Sequence, residues 1–95
     1  MKYRLVENVS LEEVCNTYLL AASGEALSRL DYIRVINEVG AEIVRMIMEE
    51  MDMETILQSV AERYDMKEEN IRPGISRFVD DLAAKGYLII EEGGQ

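Results

Sequence analysis

The chain has 95 residues, 48% hydrophobic and 31% charged, which fits one soluble globular domain over 1–95 with no staple required. No apolar run approaches the roughly 18–20 residues that span a bilayer, and the opening Met1-Lys2-Tyr3-Arg4-Leu5-Val6-Glu7-Asn8 meets acid too soon for a secretory core. Ten basic against 19 acidic residues give a net charge of −9, which opposes a nucleic-acid partner, and a lone Cys15 without any histidine offers neither a disulfide framework nor soft metal ligands. These features predict a reduced, cytoplasmic protein with no metal, no cofactor and no membrane contact.

Two strands are expected first, Val9 to Thr17 and Tyr18 to Ala22, joined at Cys15-Asn16, where Asn16 tolerates turn geometry. Ser23-Gly24-Glu25 reads as a loop, and Ala26 to Asp31 fits either a loop or a helical turn. The β-branched run in Tyr32 to Ile36 predicts a third strand. Three short strands cannot enclose a core, so one face of this sheet must pack on the helical part of the chain.

Asn37 is the switch. Its side chain can accept from the free amides of a helix start, and Val39, Ile43, Met46 and Ile47 then recur at helical spacing to about Met51. Asp52 is placed to cap a second helix with Ile56, Leu57, Val60, Ala61 and Tyr64 on its buried stripe. A third helix carries Ile71, Ile75, Phe78, Val79 and Leu82 and stops at Lys85-Gly86. Pro73 is expected in its first turn, with the start near Lys67 to Asn70. Tyr87 to Ile90 returns as a β-tail and Glu91 to Gln95 should fray, leaving an ordered core of about 9–90. The outline is an α+β, winged helix-turn-helix-like fold: a small three-stranded antiparallel sheet, three helices and a short C-terminal β-tail.

The helical half also resembles a known family. Ile36-Asn37-Glu38-Val39-Gly40-Ala41-Glu42-Ile43 looks like the opening of the first helix of the PqqD family, with Ile36 where leucine is usual. Met53-Glu54-Thr55-Ile56-Leu57 and Ala61-Glu62-Arg63-Tyr64-Asp65 resemble the start and end of its second helix. The run from Ile75 to Leu88, through Leu82 and Gly86, resembles its third helix and exit. This resemblance implies a non-catalytic chaperone for a ribosomally made, post-translationally modified peptide. Such a protein binds the leader of the precursor as an added strand on the third strand, beside the third helix, and presents it to a modifying enzyme, commonly a radical SAM protein.

On this chain the implied edge is Tyr32, Ile33, Arg34, Val35 and Ile36. Arg72, Ser76 and Val79 on one flank of the third helix are the leading choice for the cleft wall, and the opposite flank, Gly74, Asp81 and Lys85, is the alternative. Strand addition needs no catalytic constellation, because the amides and carbonyls of an open edge set register and alternate side chains set selectivity. The carboxylate pairs Glu12-Glu13 and Asp80-Asp81 are adjacent in sequence, so their side chains diverge, unlike a general acid/base pair. A winged-helix transcription regulator and a structural docking subunit of a larger enzyme are the other readings of this pattern, and the open edge also admits a homodimer.

Overall fold

The computed structural model describes residues 2–28, 30 and 33–91. Its first strand, β1 (Lys2–Leu5), is not among the strands expected from the sequence. Lys2-Tyr3-Arg4-Leu5 alternates wet and dry positions, with Tyr3 buried, and pairs antiparallel with the C-terminal strand, here β5 (Leu88–Glu91). The β-tail therefore has a partner, and it is shifted by one residue, Leu88–Glu91 in place of Tyr87 to Ile90, with Tyr87 in the bend before it. Glu91 lies in the strand and accepts from Arg4 Nε at 3.2 Å; the remaining tail positions, 92–95, lie outside the described residues.

The three-stranded antiparallel sheet consists of β2 (Val9–Val14), β3 (Thr17–Ala22) and β4 (Ile33–Ile36), in that spatial order. Cys15 and Asn16 both take positive φ, 51° and 64°, the geometry a two-residue hairpin needs. This shortens the first predicted strand to Val14. A 3₁₀ turn over Gly24–Ser28 takes in Gly24 and Glu25, expected as loop, and the first three residues of the segment that fitted loop or helix, burying Ala26.

Three helices complete the chain: α1 (Glu38–Met48), α2 (Met53–Arg63) and α3 (Glu68–Ala84). Asn37 caps α1 as expected, its Oδ1 accepting from Gly40 N at 2.7 Å, and Asp52 caps α2 from Thr55 N at 2.8 Å. Replacing Asn37 by alanine is expected to cost about 1 kcal/mol in a urea unfolding experiment. Each helix ends in the same paired-bond motif: Met51 N to Met46 O, Met66 N to Ala61 O and Tyr87 N to Leu82 O close the outer loops. The left-handed position is glycine only in α3, at Gly86; Glu50 and Asp65 occupy it in the other two. That is why α1 stops at Met48, short of Met51: Glu50 takes the terminating conformation, and glutamate does not advertise it.

Pro73 stands sixth in α3 rather than in its first turn. It withholds an amide from the carbonyl of Glu69, an exposed residue whose carbonyl water can satisfy. No helix among the described residues is long and apolar enough to cross a membrane.

One cluster of buried side chains joins both sheets to the helices, with Leu20 and Ile36 from the sheet, Val44 and Leu57 from the first two helices, and Val79, Leu82 and Tyr87 from the C-terminal part. Tyr3 belongs to it and donates its hydroxyl to Asp80 Oδ1 at 3.3 Å. Burial, with the Asp80 charge beside it, raises the Tyr3 phenol above the usual tyrosine range. A raised folded-state value gives stability that is complete below the ordinary value, about pH 10, and lost as pH rises through the folded one. Urea midpoints should therefore fall above about pH 10 and fall less in Tyr3→Phe.

Candidate functional site

β4 pairs with β3 along one side only, Tyr18 opposite Ile36, Leu19 opposite Val35, Leu20 opposite Arg34 and Ala21 opposite Ile33. Among the described residues nothing pairs with its other side, so the backbone groups that point that way are open. Side chains alternate between the two faces. Ile36 is buried and Arg34 half-buried on the helix side, whereas Ile33 and Val35 lie on the outer side with 46% and 64% exposure. Bare β-branched residues on an open edge are an aggregation liability that soluble proteins usually blunt, so this short segment is costly unless something binds it.

Arg34 crosses from β4 to α3 and donates Nη2 to Asp81 Oδ2. This pair decides which flank of α3 stands beside the edge. At 100° per residue, Gly74, Phe78 and Lys85 share the Asp81 side, so the flank read as the alternative is the one beside β4. Arg72 lies opposite. Its guanidinium grips Glu54 of α2 fork to fork, both N–O distances 3.0 Å, with Glu68 at 3.9 Å, and it holds the Glu54 carboxyl below its usual range. Val79 is fully buried in the core and Ser76 is half-buried three residues before it. The structure thus brings Ile33, Arg34, Val35 and Ile36 together on one strand, ties Arg72 to α2 and buries Val79 in the core cluster that also holds Ile36. Tyr32 lies outside the described residues.

A separate apolar trough lies between the N-terminal part of α1, the C-terminal end of α2 and α3. It is open to solvent, has a volume of about 330 Å³ and is lined by Val39, Gly40, Ile71, Gly74, Phe78 and Met66, among others. Gly40 is required here. A Cβ on it would stand 2.8 Å from Phe78 Cζ and 3.1 Å from the Asn37 cap oxygen, so the glycine lets the Phe78 ring lie against the α1 backbone. Sequence reasoning placed Phe78 on the core stripe and gave Gly40 no role beyond its motif. The usable signal was the spacing Asn37-x-x-Gly40, which places a side-chain-free position at a helix start.

A comparison with protein families matches residues 27–88 to PqqD, described as coenzyme PQQ synthesis protein D. The chain belongs to the PqqD family. The match runs from the 3₁₀ turn to the start of β5, so it contains β4, all three helices and the trough, and leaves β1 to β3 outside. Family membership connects the chain to the biosynthesis of PQQ or of related ribosomally made peptides. No curated protein and no solved structure matches the chain at a significant level.

Proposed function

We propose that this PqqD-family protein is a non-catalytic carrier for the leader segment of a precursor peptide, which it binds antiparallel along Ile33–Ile36 and presents to a modifying enzyme, a radical SAM protein in the first instance. The observation that carries this reading is the open β4 edge set beside α3, with Arg34 spanning to Asp81. Backbone groups on such an edge supply register to an extended peptide, and the exposed Ile33 and Val35 offer it neighbours on the outer face. The charge distribution favours a peptide over a phosphate backbone, since Arg4, Arg34, Arg63 and Arg72 are each already held by a carboxylate.

Amide-resolved NMR during titration with the leader of the precursor encoded beside this protein tests the reading. Perturbations are expected over residues 33–36 and on α3 around Gly74, Phe78 and Asp81. Changes confined to the Cys15-Asn16 turn or to the chain end would overturn the site. A second copy pairing through the same edge would compete with the leader, so dimer present in the free protein should dissociate as leader is added.

A further inference from the structure

We infer that the outer face of the β2-β3-β4 sheet is the surface on which the modifying enzyme docks, through a patch of its own that is apolar at the centre and flanked by lysine and arginine. This rests on the carrier reading, and it concerns a different surface from the edge that takes the leader.

The face follows from the register. Residues opposite each other in antiparallel strands project to the same side. Leu19 of β3 therefore lies in one row between Glu12 of β2 and Val35 of β4, and Ala21 lies in the next between Ser10 and Ile33. Val14 extends the face toward the hairpin turn. On the inner side of the same strands, Val9, Leu20, Ala22 and Ile36 are buried in the core cluster, and Leu11 and Tyr18 pack against it. On the outer side Val14, Ile33 and Val35 are exposed, with Leu19 and Ala21 half-buried between them. Tyr18-Leu19-Leu20-Ala21-Ala22 is thus apolar on both faces, the composition of a strand covered on both. Among the described residues only the inner face is covered.

Charge and size specify the occupant. Arg34 is the one basic residue in the three strands, and it faces α3, where Asp81 holds it. The outward charge is Glu12, whose carboxylate accepts from Ser10 Oγ at 2.8 Å. A second copy would bring Glu12 against the same acidic face, with a net charge of −9 on each chain, so self-association through this surface is opposed and a basic rim is matched. Two strand spacings, about 10 Å, by six residues, about 20 Å, give a projected face on the order of 200 Å². That is well below the roughly 800 Å² per partner of a stable complex. It suits an enzyme that takes over a cargo and leaves.

The leader enlarges this face. Paired with β4 it becomes a fourth strand, and its residues opposite Ile33 and Val35 continue the two rows, widening the surface by about 5 Å. The enzyme then meets leader side chains and carrier in one plane, and it should bind the loaded carrier more tightly than the empty one. By linkage the enzyme tightens leader binding by the same factor.

The test uses the whole protein with the leader of the precursor and the modifying enzyme encoded beside it, comparing wild type with Leu19→Lys and Glu12→Lys. Anisotropy of a labelled leader should be unchanged in both variants, because the β4 edge is intact. Interferometry with immobilised enzyme and saturating leader should show binding weakened roughly 10- to 100-fold in Leu19→Lys, the worth of one buried apolar side chain. In Glu12→Lys association should slow several-fold at low salt and lose most of its salt dependence. Should Leu19→Lys lose the leader as well, Glu12→Lys decides alone, since it changes an exposed position. Enzyme binding like wild type in both variants would overturn the inference and, with leader binding intact, leave the carrier reading standing. A wild-type dimer in sedimentation that Leu19→Lys dissociates would give the face to a second copy and overturn it too. Wild type that binds neither leader nor enzyme would remove both readings.

Discussion

Deleting residues 1–6 is expected to lower the unfolding free energy by about 3–6 kcal/mol, the worth of two buried side chains of the size of Tyr3 and Val6. Both are at least nine-tenths buried, and the deletion also removes the Val6 amide that donates to Tyr87 O at 3.0 Å and the whole partner of β5. Leu88, in the core, and Ile90, opposite Tyr3, would then lie on an unpaired strand. Domains of this size are stable by only about 5–15 kcal/mol, so the truncated chain should be half-unfolded at much lower urea. The point variant Tyr3→Ala keeps the backbone pairing and should cost about 3–5 kcal/mol by itself. Urea midpoints near wild type for both variants would mean that β1 is an ornament on a core that closes without it.

That strand marks one boundary of what the sequence discloses. Features that act over a turn of chain were readable: the Cys15-Asn16 hairpin, the Asn37 and Asp52 caps, and the Lys85-Gly86 stop each depend on one or two side chains and the backbone beside them. β1 has the alternation of a strand, but over only four residues, and its partner stands more than eighty residues away. Nothing local distinguishes Lys2-Tyr3-Arg4-Leu5 from an unstructured lead-in. The α1 and α2 ends were blurred for a different reason, since Glu50 and Asp65 adopt the left-handed conformation that glycine would have announced. Pro73 misled because a missing amide excludes a helix interior only where the orphaned carbonyl is dry, and Glu69 is not.

The flank of α3 is the more instructive case. Periodicity fixes which stripe of a helix is buried, but a stripe has two flanks that are equivalent until a neighbour is placed beside one of them. Arg72, Ser76 and Val79 satisfied the period as well as Gly74, Asp81 and Lys85. A single long-range contact, Arg34 with Asp81, forty-seven residues apart, breaks that symmetry. The edge strand itself was readable because four β-branched or long residues before a helix cap define it locally; that its outer side is unpaired among the described residues is a property of the sheet order, which only the assembled fold contains.

Proline substitution at Arg34 and at Val35, in separate proteins, should divide stability from peptide binding. In an antiparallel ladder successive residues direct their amides to opposite neighbours, so one of these two amides points at β3 and the other at the open edge. The inward variant should lose a ladder bond and melt markedly lower. The outward variant should fold with a melting temperature close to wild type and bind the leader at least about tenfold more weakly, because proline removes a donor there and its ring occupies the approach. Arg34→Ala is the control for the ion pair with Asp81, a partly exposed contact worth at most about 1 kcal/mol. The expected loss is bounded by simple arithmetic. Some four backbone hydrogen bonds at a net 0.5–1.5 kcal/mol each supply roughly 2–6 kcal/mol, short of the roughly 8 kcal/mol of a micromolar complex. The edge alone therefore sets direction and register, and side-chain burial alongside it must supply the rest. An outward variant that binds as wild type would show that the leader does not pair with β4 at all.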